Sequence, residues 1–215
     1  MADFSENQGP PAAPDMDQPY LAVCPPAPIL RVPPRETLTD GTVTLRRWHA
    51  SDADALFRII TASRGRLAAW MPWAARKDAY ERDEAVGFTA RTSKRWDGDE
   101  GWDYAITTSA DGGEAVIGSC GLRRREDHPG VDAGYWLADG HTGKGYATRA
   151  VWMLTEEAFE MLAPSVRIVH DQANEKSRGV PARLGYECQG EVNAEGNPEG
   201  RSDTVWVKYP EPQRE

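Results

Sequence analysis

The 215-residue chain has no run of 18 apolar residues, and its opening stretch, MADFSENQGPPAAPDMDQPY, has neither a basic nor an apolar leader region. A membrane span and a secretory signal are not expected, and the chain reads as a cytoplasmic protein with no membrane partner. Cysteine is scarce: Cys24, Cys120 and Cys188 lie far apart and form no C-x-x-C pair, which argues against a disulfide framework and a zinc site alike. They read as inert or buried thiols, and no metal is expected. Basic residues are outnumbered, 25 Lys and Arg against 34 Asp and Glu, and the net charge of −9 repels a polyphosphate backbone. Nucleic acid is not expected as a partner. What the chain does have is 40% apolar residues with eight Trp and seven Tyr, enough for one substantial core in roughly one domain.

Residues 1–40 hold nine of the sixteen prolines and six acids against two bases. That composition favours extended, solvated backbone and reads as a tail, whose stretch ILRVPP (29–34) suits a strap along the surface. The folded domain is expected over 41–210, with 211–215 as a short second tail. Residues 42–48 (TVTLRRW) alternate apolar and polar side chains, a strand signal. Ser51 or Asp52 can cap a helix with Ala53, Leu56, Ile59 and Ile60 on one face, and a second helix is expected over 83–96. Strands at 102–108 and 114–124 flank the turn ADGG (110–113), and another follows at 131–138. Ala147, Val151, Leu154, Ala158 and Leu162 then recur at helical steps up to Pro164. A strand at 166–170, a short helix at 174–184 closed by Gly185, and strands at 186–192 and 204–209 complete the order. The fold class is α/β in the broad α+β sense, a mixed sheet with helices on both faces.

The stretch ADGHTGKGYA (138–147), set between a strand and a long amphipathic helix, is the most informative. Glycines there let the backbone approach a ligand, and the first turn's unpaired N–H groups point outward with the positive end of the helix dipole behind them. This is an anion cradle. A P-loop would need Ser or Thr after Lys144, where Gly145 stands, and a dinucleotide fingerprint would need glycine in place of Thr148. A connecting turn without a ligand is the plain alternative.

The run VDAGYWLADGHTGKGYATRA, the helix after it and HDQANEKSRGVPARLGYECQG resemble the GNAT acyl-CoA N-acyltransferases. Within them they resemble the RimJ/RimL-like branch, which acetylates N-terminal amines of ribosomal proteins. Trp70-Met71-Pro72-Trp73 and TVTLRRW are similar to that branch too, so the likeness spans about 42–209; Gly140 stands where the family's loop carries Gln or Arg. The resemblance implies a mostly antiparallel GNAT sheet and an enzyme using acetyl-CoA, or another acyl-CoA such as succinyl-CoA. The acceptor it implies is a primary amine, either a protein N-terminus or a small molecule, and it leaves room for a homodimer. A coenzyme A-binding regulator without catalysis is the competing class. The family's pyrophosphate contacts fall here on the main chain of His141, Thr142, Gly143, Lys144, Gly145, Tyr146, Ala147 and Thr148, with Lys144 and Arg149 as basic neighbours. The pantetheine arm would lie between the strand ending at Leu137 and Ala138 and the strand ending at His170, touching Asn174.

Moving an acyl group from a thioester to an amine requires a neutral amine, donors for the oxyanion and a proton for the departing thiolate. Asp132 is the candidate base: alternation puts it on one strand face with Gly134 and Trp136, at a position where RimL-like enzymes carry Glu. A solvent-facing carboxylate is the plainer reading. Ser177, three after Asn174, matches the serine proposed in that branch to protonate the sulfur; helix capping is the plainer role for both. Pro181 has no N–H, so the Ser177 carbonyl loses its usual helical donor. The family's oxyanion donors correspond to main-chain N–H groups near Trp136 and Leu137. Trp70, Trp73, Tyr135 and Trp136 are expected to line the acceptor pocket, with core packing as the alternative for each. His170, next to Asp171, reads as structural.

Overall fold

The computed structural model describes residues 33–75, 78–110, 113–124, 130–193 and 201–211. Most of the 1–40 tail, Cys24, the centre of the ADGG turn and 212–215 therefore lie outside the described residues. In chain order the elements are β1 (Thr37–Thr39), β2 (Thr44–Arg47), a 3₁₀ turn (Ala50–Asp52), α1 (Ala53–Leu67), α2 (Arg82–Asp97), β3 (Gly101–Ala110) and β4 (Gly113–Arg124). There follow β5 (Val131–Leu137), α3 (Tyr146–Glu160), β6 (Val166–Asp171), α4 (Glu175–Arg183), β7 (Glu187–Asn193) and β8 (Ser202–Lys208).

One eight-stranded sheet runs β1-β2-β3-β4-β5-β6-β8-β7. All its pairings are antiparallel except β5 with β6, so it is the mixed, mostly antiparallel sheet expected. Period-two alternation sorts the central strands between two cores. Trp102, Tyr104 and Ile106 of β3 join Ala150, Val151, Leu154 and Ala158 of α3 in the larger one. Ala105, from the opposite face of β3, packs with Leu56 and Ile60 of α1 and Ala85 of α2.

The sheet begins at Thr37, ahead of the Gly41 boundary expected from composition. A three-residue edge strand is too short to show alternation, and its stability comes from distant partners. The Arg35 main chain and Nε donate to the buried Glu157 carboxylate at 2.6 and 2.7 Å, and the Tyr104 hydroxyl donates to the Arg35 carbonyl at 2.9 Å.

Strands β5 and β6 create the opening that matters. They pair only at Val131 with Val166 and Asp132 with Arg167. Beyond those residues β5 stays laddered to β4 up to Leu137, while β6 stays laddered to β8 up to Asp171. Each strand is thus held on its far side and the sheet splits between them. Gly118 permits the tight β4–β5 approach at this end: a Cβ there would sit 2.3 Å from the Trp136 carbonyl oxygen.

Candidate active site

The split leads into a cleft of about 910 Å³. Its lining includes Trp70, Trp73, Tyr135, Trp136, Asp132 and Ser177, with Asn174 beside them. The seven side chains singled out for catalysis, acceptor contact and the pantetheine arm thus converge on one concavity, although they come from three separate stretches of chain. His141 to Thr148 do not line it; they form the corner that follows β5, at the N-terminus of α3.

That corner is built on left-handed backbone. Gly140, Gly143 and Gly145 have φ of 78°, 77° and 79°, a region costly for any residue with a Cβ. A Cβ at any of the three would meet no atom within 4 Å, so the space above the loop is open. The His141 N–H turns back to the Ala138 carbonyl, and helical bonding resumes with the Arg149 N–H on Gly145. Between them, the main-chain N–H groups from Thr142 to Thr148 have no acceptor among the described residues. An outward row of donors at a helix N-terminus is a ready anion site. The His141 ring lies close by; partial burial, with Lys144 adding to it, holds its pKa below 6.5. Arg149 is committed elsewhere, to Asp40 at 2.6 Å.

Two residues that sequence reasoning missed brace this corner. Arg66 of α1 donates to the Leu137 carbonyl at 2.7 Å and pairs with Asp139, and the Ser63 hydroxyl accepts from the Asp139 N–H at 2.8 Å. Nothing in their spacing pointed to the loop, because the contacts span more than 70 residues of chain.

Asp132 sits at the last paired position of the split. Arg167, its β6 neighbour, grips it bidentately at 2.7 and 3.0 Å. A carboxylate offers about four lone pairs, so this fixes its direction while leaving sites for other donors. On the facing wall, Asn174 caps α4 by accepting from the Ser177 N–H at 3.1 Å, so its capping role is present. Helix α4 runs straight through Pro181. The carbonyl this proline deprives of a donor, that of Ser177, takes the Tyr135 hydroxyl instead at 3.1 Å. The same hydroxyl lies 2.9 Å from Ser177 Oγ. Burial pushes the Tyr135 pKa up to about 12, with the Ser177 bond working the other way.

The aromatic wall is partly open. Trp73 is 38% exposed and packs against Trp136 at 6.0 Å between ring centroids, while the Arg201 guanidinium covers the Trp70 ring at 5.7 Å. Arg201 is itself held by the buried Asp171 at 2.7 Å, so the cleft's aromatic rim is tied to the end of β6. His170 is structural: Trp206 Nε1 donates to its Nε2 at 3.0 Å, and its Nδ1 lies 2.8 Å from the Asp171 carbonyl, which together set the Nδ1–H tautomer. Cys120 is buried in the cleft wall, where loss of solvent drives its pKa well up and leaves the thiol inert.

A split mixed sheet with an outward row of main-chain donors at its mouth and a cleft behind it has room for an extended ligand with an anionic end. Residues 42–187 match a family model described as an acetyltransferase (GNAT) domain, and the chain belongs to that family. It is a GNAT acetyltransferase, with an acyl-CoA as cosubstrate. YdaF of Bacillus subtilis (strain 168), provisionally named a ribosomal N-acetyltransferase, is 30% identical over 159 residues, covering 70% of this chain and 80% of that protein. Among solved structures, the microcin C7 self-immunity acetyltransferase MccE, in complex with acetyl-CoA and AMP, superposes with a TM-score of 0.71 at 20% identity, over 80% of this chain and 93% of its own. The ribosomal-protein-S5-alanine acetyltransferase from Vibrio fischeri has the same TM-score of 0.71 at 19% identity, over 83% of this chain and 99% of its own.

Proposed function

We propose that the protein acetylates the N-terminal amine of a polypeptide, with the split between β5 and β6 receiving the pantetheine arm and the Thr142–Thr148 corner receiving the pyrophosphate. The observation that carries this is the pairing of β5 and β6 at two positions only, directly beside a row of unpartnered main-chain donors. The similarity to YdaF supports a protein acceptor. So does acid–base chemistry: an α-amino group, with a pKa of about 7.7 to 8.0, is partly neutral at neutral pH, whereas a lysine at about 10.4 is not.

Asp132 draws the acceptor ammonium to the split and takes its proton, directly or through a water, from an orientation that Arg167 maintains. The N–H of Leu137 serves as the oxyanion donor: the Ala138 N–H is bonded to Ile117 on β4, and alternation turns its neighbour toward the gap. Ser177 and Tyr135 act together on the departing sulfur. With its pKa near 12, Tyr135 is a poor proton source for a thiolate whose conjugate acid lies near 8.5, so the pair contributes mainly hydrogen bonding. The proton itself comes from the nitrogen as the amide forms.

Incubation with acetyl-CoA and a panel of N-terminal peptides and small amines, following free thiol, tests this. Peptides should accelerate thiol release and leave as N-acetyl products. Release no faster than hydrolysis with every peptide would defeat the proposal, and turnover of small amines alone would move the acceptor to that class.

A further inference from the structure

Glycine inside a strand needs a reason, because it gives up side-chain contacts and widens the conformational freedom of the unfolded chain. Gly118 and Gly121 of β4 and Gly134 of β5 all lie along one ladder. A Cβ at Gly118 would sit 2.3 Å from the Trp136 carbonyl oxygen, and one at Gly121 would sit 2.8 Å from the Trp102 carbonyl oxygen and 2.9 Å from Asp103 Oδ1. The fold requires glycine at both. At Gly134 it does not: the backbone there is not left-handed, and a Cβ would meet no atom within 4 Å. Gly134 is the one exposed residue of β5, whose other six are buried or half-buried. What its missing side chain provides is space in the cleft, which Gly134 lines.

That space has walls. Alternation puts Asp132 and Trp136 on the same strand face as Gly134, two residues to either side, about 6.6 Å each way. Trp136 packs against Trp73 and, with Phe88 of α2, joins the smaller core, so this is the face that α1 and α2 cover. Across the ladder Gly121 pairs with Gly134, and the Asp103 carboxylate fills the place above Gly121. Asp103 pairs with Arg95 and lies 3.6 Å from Arg123, which hold that wall in position. On the other side is the split, where β5 has no β6 partner beyond Asp132. The result is a bay on β5 with a carboxylate at one end, an aromatic pair at the other and bare main chain between.

We infer that Gly134 is a specificity-determining residue: the main chain of the acceptor lies flat across it, and the position thereby admits extended polypeptide N-termini. A backbone approaches a strand face this closely only where no Cβ intervenes. A compact amine that stays beside Asp132 does not touch Gly134, whereas a chain running from Asp132 toward the Trp73–Trp136 pair has to cross it. The glycine weakens the strand and opens the cleft to a peptide. This role rests on the N-acetyltransferase reading of the cleft and adds the position that selects the class of substrate.

The test uses Gly134→Ala and Gly134→Val in the full-length chain, with thiol release from acetyl-CoA followed for a panel of pentapeptides with free α-amines and for glycinamide. Because the position is exposed and unstrained, neither variant should lose stability, and alanine should raise Tm by roughly 1–3 °C. For the pentapeptides kcat/KM should fall about threefold with alanine and more than about tenfold with valine, carried by KM, while glycinamide changes less than about twofold. Coenzyme A affinity by calorimetry should stay the same. An unchanged peptide KM in both variants overturns the inference while leaving the enzyme's activity standing. So does a loss confined to kcat, or one shared equally by peptides and glycinamide, which would assign the space to proton transfer at Asp132. A lower Tm in both variants would show that the glycine serves the fold, and also overturns it. Absence of thiol release with any peptide overturns the acceptor reading beneath it as well.

Discussion

The bond between Tyr135 and Ser177 exists because of a proline, and that dependence can be measured. Pro181 cannot donate to the Ser177 carbonyl, and the Tyr135 hydroxyl occupies the vacancy at 3.1 Å. Tyr135→Phe removes this donor from a half-buried carbonyl, a loss worth about 1–2 kcal/mol. For a chain of this size that lowers Tm by roughly 3–6 °C. In a Pro181→Ala background residue 181 regains an N–H, the helix supplies its own bond, and Tyr135→Phe should cost less than half as much. Thermal unfolding of the four proteins gives a double-mutant cycle whose coupling should be about 0.5–1 kcal/mol, and the individual effect of losing the proline ring cancels from it. Equal destabilisation by Tyr135→Phe in both backgrounds would refute the reasoning. Thiol release by the same four proteins reports whether the hydroxyl pair also serves the sulfur: Tyr135→Phe should lower kcat severalfold with little change in KM for acetyl-CoA.

Other outcomes follow from the corner and the split. Gly145→Ala places a Cβ at φ of 79°, which should destabilise the fold by about 1–2 kcal/mol through strain alone, since no atom lies within 4 Å. Because that open space is where phosphates would sit, calorimetry should show coenzyme A affinity falling more than tenfold. The His141 pKa is held below 6.5 in the free protein, and a bound diphosphate would raise it. The complex then holds more protons than the free protein through that window, so affinity should climb as pH drops from 7.5 toward 6, by at most tenfold per unit; His141→Gln should flatten the profile. Asp132→Asn should reduce kcat by about 100-fold or more and leave coenzyme A affinity unchanged, and a parallel loss of both would remove Asp132 from its role as base.

Particular elements show how much could be read without coordinates. Helix α3 and strands β3 to β6 were legible because their periodicity is long and their ends are marked by glycine or proline. The anion corner was legible for a related reason: left-handed backbone demands glycine, so Gly140, Gly143 and Gly145 announce it in one dimension. The Pro181 argument correctly identified a carbonyl in need of a donor but not the donor, since Tyr135 lies 42 residues away. Strand β1 was invisible among prolines, because its place depends on Arg35 reaching Glu157 of α3.

Local order along the chain therefore determined which segments are strands and helices, where the glycine corner lies and which family's chemistry the chain carries. Those properties depend on backbone conformation within a few residues, which side-chain type dictates directly. Tertiary structure alone decided the rest: the bracing of the corner by Ser63 and Arg66, the grip of Arg167 on Asp132, and the reach of Tyr135 to the Ser177 carbonyl. Such contacts join residues tens of positions apart, and their geometry is set only when the sheet twists, splits and brings its two cores together.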